Sequence, residues 1–94
     1  MKKIQTTTKI SEARNLGPRT EQELNAIGVM SLEDVKKLGW EEVCFRYISS
    51  YPGRLNLNLV YAMIGAVKDQ DWRGLSLKDK ETAKNFVAAL RNSQ

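Results

Sequence analysis

Asn15-Leu16-Gly17-Pro18-Arg19-Thr20 is the stretch on which the fold of this chain turns. A proline at the first helical position gives up only an amide that has no intrahelical partner, so Pro18 marks a helix start. Gly17 before it is expected to take the unusual backbone angles of a tight reversal. The pattern predicts a helical hairpin, with a short helix closing at Gly17 and a second opening at Pro18. The amides left at that second N-terminus attract phosphate in some proteins and only cap helices in many others.

Outward from the corner, the apolar spacing reads as helix on both sides. Ile10, Ala13 and Leu16 mark one side of the short helix, while residues 1–9 carry no apolar period and read as a flexible N-terminal arm. The second helix runs from Pro18 to about Ile27, buries Leu24 and Ile27, and stops at Gly28, a left-handed cap followed by apolar Val29. Ser31 with Asp34 three residues on resembles a capping box and opens a third helix, with Leu32, Val35 and Leu38 as its buried face. Gly39 breaks that helix. A fourth follows from Trp40 to about Ser50, with Val43, Tyr47 and Ile48 inward.

Tyr51-Pro52-Gly53-Arg54 is the clearest loop signal. The alternation Leu55-Asn56-Leu57-Asn58-Leu59 could be a strand, but a lone strand would have no partner, so it reads as the entry to a central helix capped by Asn56 or Asn58. From Val60 to Val67 apolar residues occupy nearly every face, as in a buried helix, and Gly65 is expected where another helix crosses closely. Asp69-Gln70-Asp71 ends it, and Trp72 reads as a core plug. Ser76 and Asp79 repeat the capping pattern before a last helix, to about Leu90, that turns Ala83, Phe86, Val87 and Leu90 inward. Leu16-Gly17 and Leu38-Gly39, 22 residues apart, suggest two helix-turn-helix units in tandem. The sum is an all-α, compact five- or six-helix bundle in one domain over residues 10–94.

Composition narrows the chemistry. Ninety-four residues hold one modest core and leave little room for a deep walled cavity. The chain has no histidine and one cysteine, Cys44, which removes the commonest general base, an internal disulfide and any zinc- or iron-type ligand cluster. Cys44, between Val43 and Phe45, reads as a small buried hydrophobe. No apolar run reaches spanning length and no secretion signal opens the chain, so a cytoplasmic protein is expected. The net charge of +4 permits nucleic-acid or acidic partners without demanding them, and the excess of positive charge sits at the two ends.

The blocks Arg14-Asn15-Leu16-Gly17-Pro18-Arg19-Thr20-Glu21, Ile27-Gly28-Val29, Leu32-Glu33-Asp34-Val35 and Leu38-Gly39 resemble the C-terminal domain of the TfoX/Sxy family. Pro52-Gly53-Arg54, Leu57-Asn58-Leu59-Val60-Tyr61-Ala62-Met63, Gly65-Ala66 and Trp72 with Leu75 extend the resemblance in order and spacing over residues 11–84. It implies an all-helical domain of helix-hairpin-helix or SAM-like type, in proteins that promote DNA transformation by activating competence genes. It implies no catalytic residue and no cofactor. Regulators of this family usually carry a separate N-terminal domain, so the chain is expected to be either an excised domain or a standalone relative.

Two functions follow as expectations. The first is a non-catalytic regulatory module that docks on a transcription protein, or on a TfoX N-terminal-type domain, through Trp40, Phe45 and Tyr51. The fourth helix has more aromatic residues than its inner face can use, and homodimerisation through the same surface is a further option. The alternative is duplex DNA held at its backbone by the Gly17-Pro18 hairpin, with the amides near Arg19 and Thr20 receiving phosphate and Lys9, Arg14 and Arg19 adding charge. Against it, hairpins of that class carry a Gly-x-Gly core where this chain has Asn15, and Glu21 and Glu23 already satisfy the helix dipole.

Overall fold

The computed structural model describes residues 8–92, so most of the arm expected over residues 1–9 lies outside the described residues. At the centre is α4 (Leu57–Lys68), numbered in chain order after α1 (Pro18–Ala26), α2 (Leu32–Leu38) and α3 (Trp40–Ser50) and before α5 (Leu77–Asn92). Among the described residues these five helices and three short 3-10 turns are the whole regular structure, with no strand, so the all-α expectation holds. The alternation at residues 55–59 is indeed a helix entry. Asn56 caps α4 by accepting a hydrogen bond from the Leu59 N–H at 2.8 Å. Val60, Tyr61, Met63, Ile64 and Ala66 of α4 are buried, and α2, α3 and α5 all pack on this helix. α5 runs antiparallel to α4, since Lys68 near the end of α4 reaches Asp79 near the start of α5 at 2.8 Å.

Local signals set most of the boundaries. Ser31 accepts from the Asp34 N–H at 3.2 Å and Ser76 from the Asp79 N–H at 3.1 Å, one cap each for α2 and α5. The Asp34 carboxylate reaches back to the Met30 N–H rather than to the cap residue itself. After α1, Gly28 takes φ +92 and the Val29 N–H returns to the Leu24 carbonyl at 2.9 Å, the two-bond ending that lets Val29 enter the core. Gly39, at φ +94, joins α2 to α3 with no residue to spare.

Four local expectations change. The short helix before the corner is a single 3-10 turn, Ile10–Glu12, although Ile10, Ala13 and Leu16 are all buried as predicted. So few residues cannot repay the cost of helix nucleation, and burial, with hydrogen bonds from Ser11 to Glu21, holds them in place. Gly17 is extended, at φ −126 and ψ −176, and the left-handed residue of the corner is Asn15, at φ +74. Gly65 is crowded by the Asn15 side chain and the backbone at Gln70, not by a crossing helix. Leu38 is 38% exposed, because α2 ends there and Gly39 turns the chain before a partner covers it. Gly17 and Gly39 both sit just before a helix, as a tandem repeat requires, but their backbones differ and the first unit has no full helix ahead of its glycine.

Candidate functional site

The corner is built from Asn15 outward. Its left-handed backbone, which asparagine tolerates better than most residues, aims the side chain at the C-terminal end of α4. There the amide donates to the Gln70 carbonyl at 2.8 Å and the Ala62 carbonyl at 3.4 Å, and its oxygen accepts from the Trp72 N–H at 3.2 Å. Asn15 thus ties the hairpin to the turn after α4, where the Trp72 ring stacks on Tyr61 with centroids 6.2 Å apart.

On the other side of the corner the first turn of α1 faces the start of α4 across an open cleft of about 320 Å³. Arg19, Thr20, Tyr47, Arg54, Asn58 and Trp72 are among the residues that line it. Glu23 organises its rim. The carboxylate takes a two-pronged contact from Arg54, Nε at 2.8 Å and Nη2 at 3.0 Å, and a hydrogen bond from the Tyr47 hydroxyl at 2.5 Å. Arg19 approaches from solvent at 3.7 Å. The Arg54 guanidinium, then the Tyr47 hydroxyl, hold the Glu23 carboxyl at about 2, well below its ordinary 4.5. Burial, and then the hydrogen bond to Glu23, push the Tyr47 hydroxyl up. Neither Glu23 nor Tyr47 is therefore poised to exchange a proton near neutral pH.

Glu21, the other acid of the first turns, accepts from both the N–H and the hydroxyl of Ser11, tying the 3-10 turn to α1. Both carboxylates are thus engaged in structure. Of the residues expected to contact DNA, Arg19 and Thr20 line the cleft. Gly17 caps α1 beside them. Arg14 pairs instead with Asp69 at 3.5 Å, and Lys9 stands exposed at the start of the 3-10 turn. Arg54 is the residue the sequence reading passed over. Its one sequence signal, the Pro-Gly-Arg turn, marks a loop and not a partner for Glu23, 31 positions earlier.

The three aromatic residues expected on an interaction surface separate. Trp40 packs edge-on against Phe86 of α5 at 5.2 Å, and Tyr51 packs edge-on against Tyr47 at 5.7 Å. Both lie on the side of α3 that carries Val43, Tyr47 and Ile48 and are half-buried. Phe45 points the other way and is 51% exposed, among Glu41, Glu42, Arg46 and Ser49 on the outer face. Cys44 is fully buried, and burial pushes its thiol up to about 12. Among the described residues no group of three or more Cys, Asp or Glu residues is arranged to hold a metal ion, and no helix is long and apolar enough to cross a membrane.

Among the described residues the protein is a small all-α domain with a polar cleft at a helical corner and one aromatic side chain, Phe45, largely exposed on its outer face. The chain belongs to the TfoX C-terminal domain family, whose profile matches residues 6–87. Two crystal structures from Listeria monocytogenes share the fold. An uncharacterised protein in a triclinic form is 28% identical with a TM-score of 0.83, over 89% of this chain and 94% of that one. A protein of unknown function in a tetragonal form is 30% identical with a TM-score of 0.79, over 85% of this chain and 98% of that one. No curated protein matches the chain.

Proposed function

We propose that this domain is a non-catalytic regulatory module of the competence type, acting in the cytoplasm by contacting a protein partner in transcription control. The family supplies the regulatory setting. The pairing of the arginines around the corner supports protein contact over nucleic acid: Arg54 is held bidentately by Glu23, and Arg14 and Arg19 make looser, exposed pairs with Asp69 and Glu23. Positive charge already met by carboxylates releases fewer counterions on meeting phosphate, which is the main source of backbone affinity for DNA. Phe45 is the exposed apolar group a protein partner would use, with Trp40 and Tyr51 holding α3 in place beneath it.

DNA contact at the hairpin keeps one observation in its favour. Arg19 is largely solvated and lines the open cleft with Thr20, so its pair with Glu23 is one that phosphate could displace. A gel shift with duplex DNA at low and moderate salt, run on wild type and Arg19→Glu, separates the readings. Binding that falls steeply with salt and vanishes in Arg19→Glu would replace the protein-contact reading. Absence of a shift, together with loss of a co-purifying partner in Phe45→Ser, supports it.

A further inference from the structure

We infer that the outer edge of α5, with the start of α4, is a docking groove for an acidic amphipathic helix of a partner protein. This rests on the protein-contact reading and adds to it a second contact surface, separate from Phe45. Lys80, Lys84 and Arg91 follow one another at spacings of four and seven, the repeat that keeps side chains on one side of a helix. Two shallow depressions lie along this edge and share Lys84. One, of about 270 Å³, is lined by Leu77, Lys78, Lys80, Glu81 and Lys84. The other, of about 190 Å³, is lined by Leu57, Lys84, Val87, Ala88 and Arg91.

The edge combines two chemistries that a solvated helix face does not need together. Leu77 is 85% exposed and Ala88 is exposed, with half-buried Leu57 between the helices. The four cations enter no salt bridge among the described residues, in contrast to Arg14, Arg19, Arg46, Arg54 and Arg73. Asp79, the acid nearest the start of α5, is already taken by Lys68, which leaves Glu81 as the one carboxylate in the lining of either depression. Unmatched positive charge beside an apolar seam is complementary to a helix with acidic residues flanking a leucine stripe. Nucleic acid would use the cations but leave exposed Leu77 and Ala88 and half-buried Leu57 without an apolar partner.

The test is an amide-resolved NMR titration of the whole chain with a synthetic peptide of about four helical turns, glutamate-rich with leucine every third or fourth residue. Shifts centred on Leu57, Leu77 and residues 84–91 are expected. Affinity should fall about tenfold or more both in Lys84→Glu/Arg91→Glu and when the peptide leucines become serine. Both replaced residues are exposed, so a circular dichroism melt close to that of wild type is expected for the variant and is checked first. Equal affinity for the variant or the serine peptide, or the same shifts produced more tightly by duplex DNA or by anionic vesicles, would overturn the groove. Shifts centred on Phe45, or partner capture lost only in Phe45→Ser, would overturn it while leaving the protein-contact function standing.

Discussion

Replacing Gly65 by alanine should destabilise this protein, although the same change inside an ordinary helix stabilises it by about 1 kcal/mol. A Cβ built on Gly65 would lie 2.5 Å from the Gln70 carbonyl oxygen and closer still to Asn15 Nδ2. The carbonyl has little freedom to retreat, because the Gln70 N–H is itself bound to the Gly65 carbonyl at 2.7 Å. The Asn15 amide must then leave. Crowding of this kind costs about 1–3 kcal/mol. The displaced amide forfeits its bonds to Gln70 and Trp72, about 1 kcal/mol each. Set against the propensity gain, the net loss is about 3 kcal/mol, which for a domain of this size lowers the melting temperature by at least about 10 °C. Asn15→Ala should cost a similar amount, from the same bonds plus about 1 kcal/mol for holding alanine at φ +74. In the double variant the amide is already gone, so the losses should fall short of additivity by about 2 kcal/mol. Thermal and urea melts of the four proteins measure this. A Gly65→Ala protein that melts at or above wild type, or losses that add in full, would refute the account of the corner.

Other expectations rest on single groups. Glu23 is held at about 2 against an ordinary 4.5, so its stabilising contribution is complete above about pH 4.5 and disappears as pH falls toward 2; melts from pH 7 to 2 should show a steeper acid limb in wild type than in Glu23→Gln. An equally steep limb in both would show that Glu23 does not carry it. Phe45→Ser should leave stability within about 0.5 kcal/mol of wild type, while Trp40→Ala should lose about 2 kcal/mol by opening its contact with Phe86. Comparable melts for the two variants would contradict that division of α3. Cys44, buried and with its thiol pushed up to about 12, should react with an aromatic disulfide reagent only as fast as the fold opens, and rapid labelling at pH 8 without denaturant would place it at the surface.

What the sequence shows of this fold is what is decided within a few residues. Ser31, Gly39, Asn56 and Ser76 each act on a partner within about one turn, so the starts of α2, α3, α4 and α5 follow from their types and positions. The inner faces of α3 and α4 follow as well, because periodicity is a local property. The choice of a helix entry over a strand at residues 55–59 needed only the absence of a second strand to pair with. Leu38 departs from expectation because its position on the α2 face is local, whereas the absence of a cover there depends on where Gly39 sends the chain.

The corner itself marks where local reading ends. The usual rule gives the left-handed backbone to glycine, and both Gly17 and Asn15 lie in the corner sequence. Asparagine takes it because its amide finds Gln70 and Trp72, 55 and 57 positions away, and those bonds more than offset the modest strain. The same holds for Glu23. As an isolated acid in the first turns of α1 it argues against an anion at the hairpin, but Arg54 arrives from 31 positions away and changes what it means. A bidentate pair removes Glu23 from the electrostatics of the cleft as effectively as Glu23 removes Arg54, leaving the loosely paired, exposed Arg14 and Arg19 as the hairpin arginines with charge to offer. The residues that decide between DNA and protein at this corner are thus partners of the motif rather than members of it, and spacing along the chain holds no trace of them.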